Sequence, residues 1–480
     1  MKIDEILGQT VKDEYLQSFT VTEKLSEGGQ GVVFYTDKED YVIKFAFDAK
    51  KDIITKDENS ELYEYYKNEY TTLYLNPFPQ NIHIAYPLAV LRDYAGYVMK
   101  LASGMTSFKS LMNIQDYSKT GGIKRRLDLL SKTAGIIAEL HSVGLVYSDV
   151  SSGNVFVTKY VDGKNQNVWL IDSDNIFLAN SLDGSKGKCV FTPRFAAPEL
   201  INETSKSTQE SDVYAFACMA FECLSQNHPF HGDLIDEKQS EEEVVGWSQE
   251  KTAVKKVQNT EELYSGKVPW IEDKDDQRNH TKNGFPGSYY MTEELFTLFN
   301  KTFTHGRNKP QQRPPIYFWP KAFAHARNTS ICCSYSDCKM TYIYEKNQTS
   351  CPFCGKKNRD IFLIKNKEKI VFAHEILWDE GVSESEKIFI PESVFLSFNM
   401  QTQTLPILSI VFIKKGKSKS LSLKKTDSLA ASQTRFFVEK SKSEKEEIIN
   451  DVLKYQSYDN VCKICVEDEE FCFQLIKSEE

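Results

Sequence analysis

Leu140–Val157 reads LHSVGLVYSDVSSGNVFV, and three local signals follow one another within it. It opens as the end of a helix: upstream, over Lys124–His141, Leu127, Leu130, Ala134 and Ile137 recur at helical spacing, and Gly144 supplies the stop. A polar loop follows, and the stretch leaves as an apolar strand. The loop carries Asp149 and, four residues intervening, Asn154. A carboxylate there can orient a hydroxyl, and the amide can ligate a metal ion. The next strand, Asn167–Asn175 (NVWLIDSDN), delivers Asp172, a carboxylate suited to Mg²⁺ bridging phosphates.

Working outward, Leu25–Phe34 (LSEGGQGVVF) is a turn between two expected strands. Gly28 and Gly31 there let backbone N–H groups approach phosphate oxygens with no Cβ in the way. Lys44 ends the strand YVIK beside that turn. Glu69 lies on the following helix, Glu58–Leu75, where it is placed to pair with Lys44 and hold it against α/β-phosphates. Downstream, FTPRFAAPEL supplies Ala197-Pro198-Glu199, and ESDVYAFA places Asp212 on a run, Ser211–Leu224, that is apolar almost all round and so a buried helix. Singly, each feature is commonplace: two glycines in a turn, one surface lysine, one surface glutamate. Their order and spacing are not.

Taken together these motifs resemble the protein kinase superfamily, in its eukaryotic-like Ser/Thr form, over roughly residues 15–327. The resemblance implies a two-lobed α+β catalytic domain using ATP and Mg²⁺ (or Mn²⁺). By it, Gly28, Gly31 and Val33 roof the nucleotide, and Lys44 with Glu69 forms a strand–helix ion pair. Met99 is the gatekeeper, and Lys100–Ala102, with Leu101 at its centre, is the hinge that reads adenine. Asp149 is the catalytic base, and Asn154 and Asp172 are the Mg²⁺ ligands. Thr192 favours Ser/Thr over Tyr acceptors, Glu199 pairs with Arg313 of QQRPP, and Asp212 braces the catalytic loop.

The chain departs from the family pattern at several positions. The first glycine of the turn is Ser26, and His-Arg-Asp reads Tyr147-Ser148-Asp149. With no arginine at 148 to clamp a phosphate, alanine at Ser181 and Ser185 is expected to leave transfer nearly unchanged. Asp-Phe-Gly reads Asp172-Ser173-Asp174, and the lysine two residues after the base is Ser151. A hydroxyl cannot replace an ammonium against developing phosphate charge. The alternative reading is therefore a pseudokinase scaffold that binds ATP and recruits a phosphatase or other partner; nucleotidyl transfer on the same fold is a third.

Five cysteines crowd into the 23 residues Cys332–Cys354, and C-x4-C-x12-C-x2-C picks out Cys333, Cys338, Cys351 and Cys354. In CPFCG, Pro352 and Gly355 shape a turn that presents two thiolates to one tetrahedral ion, so Zn²⁺ is expected. Cys332 is an alternative first ligand. VCKICV, with Cys462 and Cys465, reads as a strand that puts the two thiols on opposite faces. This segment after the kinase motifs, from SGKVPWIEDKDD through the cysteines, is similar to bacterial kinases with an appended zinc ribbon. That subgroup implies two partners, a metal-dependent protein phosphatase and a von Willebrand A-type protein.

The expected organisation is a kinase domain over 1–327, with the N-lobe ending near 101 and an insertion over 232–290, a zinc ribbon over 328–360, and a β-rich domain over 361–480. In the last, Ile361–Lys365, Lys369–Trp378, Lys387–Phe398 and Leu405–Ile413 read as strands, Lys414–Lys425 as a solvated hairpin loop, and Glu444–Lys454 as a helix. A terminal hairpin pairs Val461–Val466 with Glu470–Ile476. Lys and Arg number 59 against 68 Asp and Glu, a net charge of −9, which provides no global field for nucleic acid or an anionic membrane. MKIDEILGQTVKDEY shows no basic segment followed by an apolar core, and no apolar run reaches ~20 residues, so a cytoplasmic protein is expected, and protein substrates are what the kinase resemblance implies.

Overall fold

In the computed structural model the residues described are 1–480 apart from 162–165, 180–189, 236–262, 379–385, 397–398, 400–403, 416–417, 429–430, 433, 442–443, 448–452, 456–461, 467–468 and 479–480. Alternation builds the first sheet. In Gly31–Thr36, Val32, Phe34 and Thr36 are buried while the residues between them are half-buried. The strands β1 (Thr10–Lys12), β2 (Ser18–Glu27), β3 (Gly31–Thr36), β4 (Tyr41–Ala46), β5 (Ala89–Val90) and β6 (Gly96–Lys100) form one sheet in the order β1-β2-β3-β4-β6-β5. Phe19, Phe34, Phe45 and Val98 pack one face. On the other lies α1 (Ser60–Tyr74), whose Tyr63 and Tyr70 meet Val42, Tyr97 and Met99. A Cβ on Gly31 would stand 2.3 Å from the Phe45 carbonyl oxygen, so close strand approach alone requires glycine there.

The second lobe is helical: α2 (Gly122–Ser142), α3 (Pro198–Ile201), α4 (Gln209–Ser225), α5 (Glu293–Phe303), α6 (His305–Asn308) and α7 (Trp319–Thr329). Helix α4 is buried almost throughout, and Thr208 caps it by accepting from the Ser211 N–H. Phe221, Phe299, Phe303, Trp319 and Phe323 form an aromatic core with edge contacts, and Trp319 also stacks on Phe323. Val268, Trp270, Ile271 and Tyr290 belong to that same core. The later half of the expected insertion is thus part of the lobe; residues 236–262 lie outside those described.

Short strands frame the cleft between the lobes. They are β7 (Met105–Ser107), β8 (Leu145–Val146), β9 (Val155–Thr158), β10 (Val168–Leu170) and β11 (Phe177–Leu178). β9 pairs with both β7 and β10, and β8 pairs with β11. Helix α7 runs directly into β12 (Ser330–Cys332), which pairs with β13 (Thr341–Ile343) in the cysteine-bearing module. That module is docked on the lobe: Thr341 Oγ1 accepts from the Ile123 N–H at the start of α2, 2.5 Å, and Tyr289 Oη donates to the Pro352 carbonyl, 3.2 Å.

The C-terminal region is β-rich. The strands are β14 (Ile361–Asn366), β15 (Lys369–Glu375), β16 (Glu386–Pro391), β17 (Pro406–Lys415), β18 (Ser418–Lys425), β19 (Phe436–Ser441), β20 (Glu444–Glu447), β21 (Leu453–Tyr455), β22 (Cys462–Val466) and β23 (Glu469–Ile476). They form two sheets, β15-β14-β23-β22-β19-β20 and β16-β17-β18-β21, around Phe362, Phe372, Phe412, Phe436 and Phe473. Three expectations are corrected. No helix occupies the described part of Glu444–Lys454: Glu444–Glu447 pairs with β19, and tertiary pairing overrides the helix preference of a Glu- and Lys-rich run. Lys387–Phe398 stops as a strand at Pro391, which has no N–H for the ladder. Most of Lys414–Lys425 is strand, with Leu423 buried, because KSKSLSLK alternates. Among the described residues, no helix is long and apolar enough to cross a membrane.

Candidate active site

The loop between β8 and β9 is held by buried polar groups. Asp212, fully buried on α4, accepts from the Tyr147 and Ser148 N–H groups at 2.7 and 2.8 Å and lies 3.0 Å from His141 Nε2. Ser148 takes a left-handed conformation, φ 75°, which turns the chain so that Asp149 follows into the cleft. Both oxygens of Asp149 are engaged. Asn154 Nδ2 donates to Oδ2 at 2.9 Å, and Thr192 Oγ1 donates to Oδ1 at 2.8 Å. Asn154 also donates to the Asp149 carbonyl, 3.0 Å. The Ile171 N–H donates to the Asn154 carbonyl, 2.9 Å, which ties the segment carrying Asp172 to the one carrying Asn154.

Asp172 also has positive φ, 60°. Its Oδ1 is 2.8 Å from Lys44 Nζ, and Asp174 Oδ2 is 2.7 Å from the same ammonium. Tyr97 Oη donates to Asp174 Oδ1, 2.6 Å. Burial works against the charge on Lys44, but Asp174 and then Asp172 outweigh it and raise its pKa above the ordinary lysine value. Burial first, and Asp174 second, push the Tyr97 hydroxyl well above the usual phenol range, so it remains a donor. Glu69 stands half-buried on α1, one residue before Tyr70.

Above the cleft, Val33, Leu101 and Ile171 pack around Met99 in one apolar cluster. The Leu101 N–H is bonded to the Asp40 carbonyl, 2.9 Å. Cβ atoms built on Gly28 and Gly29 meet nothing closer than 3.9 Å, so this turn is open where the β2–β3 hairpin overhangs the cleft. Below, Arg313 grips Glu199 with two bonds, 2.6 and 2.8 Å, and donates to the Glu210 and Gly306 carbonyls.

The protein kinase domain family matches residues 19–309. The chain belongs to the protein kinase family. The kinase is 29% identical over 236 residues to protein kinase C delta type of Rattus norvegicus, covering 46% of this chain and 31% of that protein. It is 25% identical over 226 residues to serine/threonine-protein kinase pkn2 of Myxococcus xanthus, covering 45% and 25%. These matches span about a third or less of the length of the relatives.

Two features of the kinase were not expected. Ser148, where an arginine would stand, donates its hydroxyl to the Val190 carbonyl at 3.1 Å and lies 2.9 Å from the Ser207 hydroxyl, binding the segment before Thr192 directly. Ser181 and Ser185 lie outside the described residues. Asp174 is the other: a carboxylate in place of the glycine of Asp-Phe-Gly was its only sequence signal.

In the cysteine module, Cys333, Cys338, Cys351 and Cys354 bring their sulfurs within 4.8 Å of one another. Cys333 and Cys354 are 3.8 Å apart, and Cys338 and Cys351 3.9 Å. A tetrahedron with metal–sulfur bonds of about 2.3 Å has edges of about 3.8 Å, so the donor set fits a zinc ion. Gly355, φ 71°, makes the turn that returns the knuckle. Cys332 is exposed, its Sγ directed at the Lys339 carbonyl, 3.6 Å, rather than at the other sulfurs. Burial pushes the Cys338 thiol up to about 11.

Proposed function

We propose that this kinase transfers the γ-phosphoryl group of ATP to serine and threonine hydroxyls of proteins. The observation that carries the reading is the seating of Asp149: one oxygen held by Asn154, the other by Thr192, on a loop braced by Asp212. A carboxylate so fixed can orient an acceptor hydroxyl and take its proton, and positioning is most of what phosphoryl transfer requires. Lys44 holds the α/β-phosphates under the Gly28–Gly31 turn, while Val33, Met99 and Leu101 enclose the adenine. Asn154 and Asp172 are the residues that would hold Mg²⁺ or Mn²⁺. When bound, the ion neutralises phosphate charge. The acceptor preference rests on Thr192 and the family resemblance.

Zinc on Cys333, Cys338, Cys351 and Cys354 is proposed as a structural site, closed by four thiolates. The phosphatase and von Willebrand A-type partners rest on the subgroup resemblance alone, as does a bacterial setting; a cytoplasmic location is proposed from the sequence pattern and the kinase domain. One observation favours the second reading, an ATP-binding scaffold. Ser151 is buried where a lysine is usual, and its backbone carbonyl is committed to the Asn154 and Val155 N–H groups.

ATP labelled separately at the γ and α phosphates separates the readings. Transfer of γ-label to protein by wild type, lost in Asp149→Ala by about 10²–10⁴-fold, is the expected result. Transfer no greater than that of Asp149→Ala across both metals, with ATP still raising the melting temperature, makes the chain a scaffold. Transfer of α-label makes it a nucleotidyltransferase.

A further inference from the structure

Lys44 and Tyr97 are direct partners across β4 and β6, so their side chains leave the same face of the sheet as neighbours. Tyr97 is fully buried, its ring edge-on to Tyr70 of α1 at 4.9 Å between centroids. From the other lobe, Asp174 reaches this rung and bonds both members: Oδ1 takes the Tyr97 hydroxyl at 2.6 Å and Oδ2 takes the Lys44 ammonium at 2.7 Å. Lys44 and Asp174 are 11% and 9% exposed, whereas Asp172 is 33% exposed. The two aspartates therefore have different environments and different freedom. Asp172 is the more solvated and is the one required for the metal; Asp174 is enclosed and has one oxygen fixed by a phenol.

We propose that Asp174, steered by Tyr97, is the positioning residue for Lys44, keeping the ammonium aimed at the ATP phosphates when Asp172 is drawn to the metal. This rests on the kinase reading above. One carboxylate cannot give its full charge to a divalent ion and to a buried ammonium together, so with Asp172 turned to the metal it is Asp174, the more enclosed of the two, that stays on Lys44. A glycine at 174 would supply no carboxylate. The arrangement also ties the aim of Lys44 to closure of one lobe on the other, because Asp174 and the β4–β6 rung belong to different lobes.

The test uses the full chain carrying Asp174→Asn, which keeps the shape and removes the charge, with Tyr97→Phe and Glu69→Gln beside it. Equilibrium binding of ATP with saturating Mg²⁺, the KM for ATP, the KM for acceptor and the melting temperature are measured for each. Asp174→Asn is expected to weaken ATP binding and raise the KM for ATP by about tenfold, with the acceptor KM little changed. Tyr97→Phe is expected to act in the same direction by about two- to threefold, since it loosens the carboxylate without removing it. Glu69→Gln is expected to cost less than Asp174→Asn. ATP affinity unchanged in Asp174→Asn overturns the proposal, as does a larger loss in Glu69→Gln. A rise only in the Mg²⁺ concentration required overturns it too, by making Asp174 a metal ligand. Should Asp174→Asn fold poorly, Tyr97→Phe with wild-type ATP affinity overturns it. Wild type that binds ATP without transferring phosphate defeats the kinase reading instead, and the binding comparison then still judges Asp174.

Discussion

The loop carrying Asp149 and the cysteine module solve the same problem by opposite means. Each must hold a few reactive groups at fixed separations in a segment with little regular structure. The loop does it with one buried carboxylate: Asp212, from a helix more than sixty residues further along the chain, gathers the Tyr147 and Ser148 amides and His141. The module does it with its own reactive groups, four thiols converging from two short turns on a single point. The anchor of the loop sits on a helix that is itself buried in the large core of the lobe. The module has only a small core, with Ile331, Tyr342 and Tyr344 among its buried residues, and its integrity depends on what the thiols bind.

The sharpest way to break this contrast is to remove the anchor of the loop. Asp212→Ala leaves two buried N–H groups without an acceptor, each worth about 1–3 kcal/mol. Phosphoryl transfer is expected to fall by about two orders of magnitude or more, with a clear loss of melting temperature; Asp212→Asn, which retains one acceptor oxygen, should lie between. Labelled-ATP turnover and thermal melts measure both. Asp212→Ala with full activity would mean the loop is held by Thr192 and Asn154 alone.

Metal removal probes the other side. One zinc per chain is expected by elemental analysis, and a strong chelator should unfold the module. The effect should also reach the lobe, because Thr341 caps the Ile123 N–H at the first turn of α2 and Phe353 packs on Phe285 and Tyr289. Losing that cap should cost about 1 kcal/mol, seen as a few degrees in the lobe's transition. Zinc takes thiolates, so the thiols must release their protons to bind it, and zinc affinity should fall as pH is lowered. A lobe transition that ignores the chelator would show the two regions to be independent.

The smallest expected effect lies at the junction with the C-terminal sheets. Glu294 of α5 accepts from His325 Nδ1, 2.9 Å, and pairs with Lys369 of β15, while His325 Nε2 faces the Ile370 carbonyl. The His325 bond, helped by Lys369 against partial burial, lowers the Glu294 carboxyl to about 2. A depressed carboxylate stabilises the fold fully above its unfolded value of about 4.5 and loses that contribution as pH falls through 4.5 towards 2. Wild type should therefore melt slightly above Glu294→Gln at pH 6, with the gap narrowed at pH 3 and closed only near pH 2. The effect is modest because Glu294 is 41% exposed and screened by solvent. A gap that widens on acidification would contradict the assignment.

What could be read along the chain was whatever chemistry works within a short loop. Asp149 and Asn154 bond to each other across four residues, and the four zinc-spaced cysteines occupy 22, so residue type and spacing alone made both legible. The helices α1, α2, α4 and α5 were legible for the same reason, since 3.6-residue periodicity is local. Contacts between distant segments were not. Lys44 and Asp172 stand 128 residues apart, and nothing near Asp174 in the chain announces that Tyr97 will hold it. Glu444–Glu447 reads as helix by composition and becomes strand because β19 offers it a free edge. Local propensities are worth tenths of a kcal/mol per residue, whereas a paired strand or a buried ion pair draws on groups the local sequence does not contain. The sequence by itself determined which side chains could do chemistry here; the tertiary structure decided which carboxylate each cation meets.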